Sequence, residues 1–248
     1  MDKLLAVIVA CCSLCLSARA AEVSVAVAAN FSAPMKVIAP TFERETGHKL
    51  LLSFGSTGNF YAQIKNGAPY QVLLAADDET PIQLESEALG VRGSRFTYAV
   101  GTLVLWSKRA DRVDAKGEVL RNGSFQRLAI ANPKLAPYGA AAVQTMTQLG
   151  LLKELQPKWV QGENIAQTYQ FIATENAELG FVALSQVMAE GKISQGSAWV
   201  VPASLHSPIR QDAIVLARGD NQPAVLALMR YLRSDRTQAL IRSFGYAV

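Results

Sequence analysis

The fold is decided by the stretch Val23-Ser24-Val25-Ala26-Val27-Ala28-Ala29-Asn30-Phe31-Ser32-Ala33-Pro34, in which alternating apolar residues pass through small residues into a helical pattern. A second stretch of this kind, Ser53-Phe54-Gly55-Ser56-Thr57-Gly58-Asn59, follows the apolar residues 49–52. Each is typical of a β-strand that turns directly into an α-helix, and we predict Ser32 and, further along the chain, Asn164 as helix N-caps. The first N–H groups of such helices are unpaired and lie at the positive end of the helix dipole. The sequence thus predicts two anion-binding turns that face one small ligand.

The N-terminal segment, residues 1–20, has the pattern of a secretory signal peptide. Lys3 precedes an apolar run over residues 4–16, and Ala18-Arg19-Ala20 offers an Ala-x-Ala cleavage site. The apolar run is too short to span a membrane comfortably. An alternative is a lipoprotein signal in which Cys11 carries the lipid. In either case we predict an extracytoplasmic, periplasmic protein.

Composition narrows the class of protein. The chain has 248 residues and a net charge of +4, of which +3 belongs to the part after residue 20. Its basic residues are scattered and form no basic helix with interleaved aromatics, so we expect no nucleic-acid partner. The predicted mature chain contains no cysteine, which excludes disulfides, thiol nucleophiles and Cys-based metal sites there. All cysteines of the chain lie in the predicted signal peptide: Cys11, Cys12 and Cys15.

Strand and helix patterns alternate along the rest of the chain, which is typical of an α/β fold. Two long extended runs, at residues 96–106 and 209–217, are predicted to cross between two lobes. The first lobe would comprise residues 22–100 and 212–248, and the second residues 101–211. Two crossings leave a cleft between the lobes, where open α/β proteins bind their ligands.

The two predicted turns contain serine and asparagine but no carboxylate. A fully deprotonated tetrahedral dianion only accepts hydrogen bonds, and hydroxyl, amide and backbone N–H groups donate them. A protonated phosphate would also need an acceptor. The turns therefore favour a sulfate-like or molybdate-like ion over phosphate, and the sequence leaves the choice between these two open.

Seven short motifs occur in a fixed order after residue 20: Ala28-Ala29-Asn30, Ser53-Phe54-Gly55-Ser56-Thr57-Gly58, Gly67-Ala68-Pro69, Ala75-Ala76-Asp77, Pro137-Tyr138-Gly139, Leu179-Gly180-Phe181-Val182 and Phe244-Gly245-Tyr246. In this order and spacing they resemble the periplasmic molybdate-binding proteins of ABC transporters, in the type II solute-binding superfamily. The resemblance implies a two-lobed α/β fold with a ligand cleft, no enzymatic activity and no cofactor. It also implies a monomer that captures molybdate or tungstate and delivers it to a membrane permease.

The resemblance places five residues at the oxyanion: Ala29, Asn30, Ser56, Tyr138 and Ile165. No metal is expected to be coordinated directly by side chains. Tyr138 and Ile165 would contribute mainly their backbone N–H groups. Many family members have a ligand-binding tyrosine where this chain has Ala183, so we expect the side-chain amide of Asn30 to replace that donor.

Two other classes of function stay open at this point. One is a binding protein of the same architecture for sulfate, phosphonate or an iron carrier, although the tyrosines that an iron site would cluster are dispersed. The other is a secreted α/β hydrolase with Ser56 as nucleophile, which lacks a general base nearby in sequence. Asp77, Asp78 and Glu79 could suggest a metal or acid–base site, but we interpret them as charges at a helix N-terminus. We expect surface roles for His48 and His206.

Overall fold

The computed structural model describes residues 20–189 and 191–248. The predicted signal peptide, its cleavage site and the possible lipidation site at Cys11 belong to the segment that precedes Ala20 and lie outside the described residues.

Strands and helices alternate through most of the described chain. The strands are β1 (Glu22–Ala28), β2 (Lys49–Gly55), β3 (Val72–Leu74), β4 (Phe96–Gly101), β5 (Leu103–Ser107), β6 (Leu128–Ala131), β7 (Trp159–Gly162), β8 (Leu179–Ala183), β9 (Met188–Ala189), β10 (Lys192–Ile193), β11 (Ser197–Val200) and β12 (Ile209–Val215). The helices are α1 (Ser32–Thr46), α2 (Thr57–Lys65), α3 (Glu79–Ser86), α4 (Val119–Asn122), α5 (Pro137–Gln148), α6 (Leu152–Leu155), α7 (Ile165–Ala173), α8 (Leu184–Val187), α9 (Pro223–Arg233) and α10 (Asp235–Ser243).

The first sheet has five strands in the order β2-β1-β3-β12-β4. β1 runs parallel to β2 and β3, whereas β12 runs antiparallel to β3 and β4. The apolar residues Val23, Val25 and Val27 on one face of β1 are fully buried and belong to the same core as α1 and α9. β1 lies between β2 and β3 and is buried on both faces from Val25 to Ala28, which explains why these four residues are all apolar.

The second sheet also has five strands, in the order β11-β5-β8-β6-β7. β6 is parallel to β7 and β8, and β5 is antiparallel to β8 and β11. A separate apolar core lies against this sheet and contains Leu103, Leu128 and Phe181 together with residues of α5. The molecule is therefore an α/β protein with two mixed sheets, each with its own core.

The predicted run over residues 96–106 is divided between the two sheets. β4 ends at Gly101 in the first sheet and β5 begins at Leu103 in the second, so the chain passes from one sheet to the other at Thr102. The return passage lies between β11 and β12, and β12 belongs wholly to the first sheet.

Of the two predicted helix N-caps, one is confirmed by the structure and the other is wrong. Asn164 caps α7, because its Oδ1 accepts hydrogen bonds from the N–H groups of Ala166 and Gln167 at 3.0 and 3.1 Å. The prediction for Ser32 is wrong: Ser32 is the first residue of α1, and its hydroxyl donates to the carbonyl of Ala29 at 2.6 Å. The reason is the short helical turn Ala29–Phe31, which precedes α1 and moves the start of the helical backbone upstream.

Candidate functional site

A small cavity lies where four helix starts converge, two from elements of the first sheet and two from elements of the second. Its lining residues are Ala28, Ala29, Asn30, Gly55, Ser56, Thr57, Ala76, Ala136, Pro137, Tyr138, Asn164 and Ile165. The structure thus brings all five predicted site residues together around one cavity. None of the lining residues carries a formal charge. Any attraction for an anion must come from the helix dipoles and from hydrogen-bond donors.

Ser56 presents a free donor to this cavity. It is the N-cap residue of α2, in extended conformation at the end of β2, and only 3% of its surface is exposed. Its Oγ is buried, and no hydrogen-bond partner for it occurs among the described residues. Buried hydroxyls are nearly always paired, so an unpaired one that lines a cavity indicates a place for a ligand acceptor.

The neighbouring Thr57 has a structural role instead. Its Oγ1 accepts a hydrogen bond from the N–H of Ala76 at 2.9 Å, which ties the start of α2 to the end of β3. The hydroxyl of Thr57 therefore holds the turn in place, while the hydroxyl of Ser56 is left to face the cavity.

Tyr138 and Ile165 offer backbone donors. Pro137 is the first residue of α5 and has no N–H, so Tyr138 carries the first amide hydrogen of that helix. In α7 the Asn164 side chain occupies the N–H groups of Ala166 and Gln167, which leaves the N–H of Ile165. Neither the N–H of Tyr138 nor that of Ile165 has a hydrogen-bond partner in the part of the chain that the structure describes.

The side-chain amide of Asn30 is not free to donate to a ligand, contrary to the expectation from the sequence. Its Nδ2 donates to Oε1 of Gln211 at 2.8 Å and to the hydroxyl of Tyr246 at 3.0 Å. Both amide hydrogens are therefore used behind the cavity, and the amide cannot replace the tyrosine that is missing at Ala183. Ala183 itself is fully buried at the end of β8 and is not among the residues that line the cavity. The donor that Asn30 retains for the cavity is its backbone N–H in the turn that precedes α1.

The sequence analysis missed three polar residues behind the cavity: Gln211, Tyr246 and Ser185. All three are buried and hydrogen-bonded to one another or to Asn30. Of the three, only Tyr246 belongs to one of the quoted motifs, and the sequence assigned it no role. Gln211 lies between Arg210 and Asp212 in the polar part of β12, and no local pattern distinguishes it from these neighbours.

Asp77 lies beside the cavity but does not line it. Burial raises the pKa of its carboxyl to about 6, with smaller contributions from Glu79 and Asp78. Its Oδ1 accepts a hydrogen bond from the N–H of Thr80 at 2.9 Å, in the first turn of α3. This contact agrees with the interpretation of the acidic run as helix N-terminal charges.

The described residues contain neither a metal site nor the general base of a hydrolase beside Ser56. Among residues 20–189 and 191–248, no three His, Cys, Asp or Glu side chains are grouped so that they could hold a metal. The lining of the cavity contains no histidine or carboxylate that could act as a general base for Ser56. His48 accepts a hydrogen bond from the N–H of Ala21 at 3.4 Å, and both histidines are partly exposed. No helix in the part of the chain described is long and apolar enough to cross a bilayer.

Comparison with known proteins agrees with this geometry. The sequence pattern of the family described as bacterial extracellular solute-binding protein matches residues 23–247. The chain is 57% identical over 235 residues to the molybdate-binding protein ModA of Azotobacter vinelandii, with 95% of this chain and 93% of the relative covered. It is 48% identical over 233 residues to ModA of Rhodobacter capsulatus, with 94% and 91% covered.

A solved structure is similar over almost the same length. The periplasmic molybdate-binding protein of Azotobacter vinelandii superposes with a TM-score of 0.86 at 39% sequence identity, and 91% of this chain and 99% of that chain are covered. The predicted fold class is confirmed by this match, and the assignment to a binding family rather than an enzyme family is confirmed by the family pattern. The chain belongs to the bacterial extracellular solute-binding protein family.

Proposed function

We propose that this protein binds molybdate in the cavity between its two sheets and delivers it to the permease of an ABC transporter. The observation that carries the proposal is the buried, unpartnered hydroxyl of Ser56, in a cavity where four helix starts meet and no charged residue lines the wall. The names of the relatives from Azotobacter vinelandii and Rhodobacter capsulatus support molybdate as the ligand.

The donors suit a fully deprotonated oxyanion. The hydroxyl of Ser56 and the backbone N–H groups of Ala29, Asn30, Tyr138 and Ile165 would all donate to the ion. Helix dipoles would offset its charge without a cationic side chain. No carboxylate in the cavity wall could accept a proton-bearing phosphate oxygen. Tungstate has the same shape and charge as molybdate, and we expect it to bind in the same way.

Isothermal titration calorimetry tests the ligand. The protein, freed of bound ion by unfolding and refolding in metal-free buffer, is titrated with molybdate, tungstate, sulfate and phosphate in separate runs. We expect tight binding of the first two and far weaker binding of the others. Equal affinity for sulfate would contradict the selectivity, and no binding of any of the four would contradict the proposed function.

Residues 1–20 would direct secretion and be removed, and the mature chain would act as a monomer in the periplasm. The two groups of elements, residues 22–100 with 212–248 and residues 101–211, would act as lobes that close on the ion. The closed surface would be the one that the permease recognises. Mass spectrometry of the protein secreted by a bacterial host tests the processing step. Cleavage after Ala20 should give a mature chain that begins at Ala21.

A further inference from the structure

A buried hydrogen-bond network lies directly behind the cavity and joins elements of both sheets. Its centre is the side-chain amide of Gln211, which is fully buried and does not line the cavity. Oε1 of Gln211 accepts from Nδ2 of Asn30 at 2.8 Å. It also lies 3.2 Å from the hydroxyl of Tyr98, whose shorter contact is with the carbonyl oxygen of Ala75 at 2.8 Å. Nε2 of Gln211 donates to the hydroxyl of Tyr138 at 3.1 Å. One amide thus connects the Asn30 turn of the first sheet to the Tyr138 helix start of the second.

A second bridge runs parallel to the first. The hydroxyl of Tyr246 donates to the carbonyl of Asn30 at 2.8 Å and lies 2.9 Å from Oγ of Ser185. Oγ of Ser185 in turn lies 3.0 Å from the carbonyl oxygen of Asn30. Both amide hydrogens and the backbone carbonyl of Asn30 are therefore held by the network, and the backbone N–H is the donor of this residue that remains.

The backbone around Gln211 is shaped for this contact. The register between β12 and β4 shifts between Gln211 and Asp212, so that Gln211 pairs with Ala99 and Asp212 with Thr97. Tyr98 is left unpaired in the ladder, and its side chain reaches Gln211. Bulges of this kind commonly redirect a side chain next to a binding site.

The network keeps its donors at any ordinary pH. Burial raises the pKa of the Tyr98 and Tyr138 hydroxyls well above their usual range, and that of Tyr246 to about 12. The hydroxyls stay protonated and neutral. In a buried network each partner is costly to leave unpaired, which makes the arrangement stiff.

We infer that Gln211 is a positioning residue for the anion site, which sets the separation between the Asn30 turn and the Tyr138 helix start and thereby the discrimination between molybdate and the smaller sulfate. This inference rests on the proposed function. Gln211 acts without contact with the ion, because its amide holds two residues whose backbone N–H groups would donate to it. Loss of the amide would let the two donor groups relax to another separation.

A double-mutant cycle tests the inference. Gln211→Met keeps the length of the side chain and removes the amide, and Tyr138→Phe removes the hydroxyl at the other end of the same bond while the backbone N–H stays. Calorimetry with molybdate and with sulfate gives the affinity ratio for the wild type, both single variants and the double variant. Each single variant should lower molybdate affinity roughly tenfold, as expected for one buried hydrogen bond, and reduce the ratio. The double variant should be no worse than Gln211→Met, because both substitutions remove one shared interaction.

Thr145→Val is the matched control. Thr145 is buried in α5, the helix of Tyr138, but its hydroxyl donates to the carbonyl of Ala141 in the same helix at 2.8 Å. This variant should change stability while leaving the molybdate-to-sulfate ratio as in the wild type. If Gln211→Met does not fold, Tyr138→Phe alone still tests the bond, since it removes a single oxygen.

The measurements distinguish a failure of the positioning role from a failure of the proposed function. Wild-type binding of molybdate together with unchanged ratios in both single variants would overturn the positioning role and leave the proposed function intact. A reduced ratio in Thr145→Val as large as that in Gln211→Met would also overturn it, because any loss of a buried polar group would then suffice. Failure of the wild type to bind molybdate would overturn the proposed function, and this inference with it.

Discussion

The hydroxyl of Tyr138 lies so close to Gly101 that a Cβ added at Gly101 would be 2.0 Å from it. Gly101 is the last residue of β4, immediately before the chain passes from the first sheet to the second. Its φ angle is ordinary, so the requirement for glycine here is one of space. The point where the two sheets are linked thus sits directly against a residue that lines the cavity.

Gly101→Ala should therefore weaken molybdate binding, because the added methyl group would displace the Tyr138 side chain and Nε2 of Gln211, which would lie 2.6 Å from it. We expect a loss of at least roughly tenfold in affinity, as for one disrupted buried hydrogen bond. Tyr138→Phe in the same chain removes the atom with the closest contact and should restore part of the stability lost in Gly101→Ala. Calorimetry and thermal unfolding of the two single variants and the double variant measure both effects, and a fully tolerated Gly101→Ala would show that the contact relaxes freely.

Ser56→Ala should separate binding from stability. The hydroxyl of Ser56 has no partner in the described part of the molecule, so its removal should leave ligand-free unfolding unchanged or slightly raise stability. A hydrogen bond to a charged group contributes about 1.5–3 kcal/mol, which corresponds to a loss of roughly ten- to hundredfold in molybdate affinity. Calorimetry and chemical denaturation of the ligand-free protein give the two quantities.

Thr57→Val is the control for that experiment, since Thr57 is the adjacent residue with the opposite role. Its hydroxyl accepts from the N–H of Ala76, and its removal leaves that buried donor unpaired. We expect a loss of about 1–3 kcal/mol in ligand-free stability. Unchanged affinity in Ser56→Ala would mean that the backbone donors alone hold the ion.

Closure of the cleft should depend on Gly58. The N–H of Gly58, in the first turn of α2, donates to the carbonyl of Leu135 at 2.9 Å, across the gap between the two groups of elements. A Cβ at Gly58 would be 3.0 Å from the Cα of Leu135, a backbone atom that cannot easily move aside. Small-angle scattering with molybdate should show a smaller radius of gyration than without it in the wild type, and a smaller difference in Gly58→Ala. An unchanged wild-type radius in a sample with confirmed binding would argue against closure.

Stability should depend on pH through Asp77. Burial raises the pKa of this carboxyl from 3.8 to about 6, so the folded protein holds the proton more tightly than the unfolded chain does. Stability from this group is therefore complete below pH 3.8 and is lost as the pH rises to about 6, above which the loss stays constant. Asp77→Asn removes the charge and can still accept the hydrogen bond from Thr80. We expect it to raise the free energy of unfolding at pH 8 by on the order of 1–2 kcal/mol, given the partial exposure of the side chain.

Denaturant titrations of the wild type and Asp77→Asn at pH 8 and near pH 4 check this prediction. The two proteins should differ far less near pH 4 than at pH 8, because near pH 4 the carboxyl is protonated in the folded state and still about half protonated in the unfolded chain. A constant difference at both pH values would trace the effect to packing or hydrogen bonding instead of ionisation.

Local sequence patterns were sufficient for much of this structure. The alternation of Val23, Val25 and Val27 and the small residues after them predict a strand and a turn because side-chain burial and helix initiation are local properties. The capping role of Asn164 follows from its own side-chain chemistry, and the absence of charge in the two turns is visible in the printed residues. The sequence showed one extended run over residues 96–106, and only the structure divides that run between two sheets.

What the amide of Asn30 bonds to was decided by tertiary structure alone. Its partners Gln211 and Tyr246 are 181 and 216 residues away along the chain, and no local pattern relates them. The same holds for Ser56 and Thr57, which look equivalent as neighbouring hydroxyls until β3 places the N–H of Ala76 next to one of them. The sequence by itself determined which groups could donate to an anion, because donors are a property of residue type. Only the fold decided which of those donors are already used, because that depends on which distant residues are packed against them.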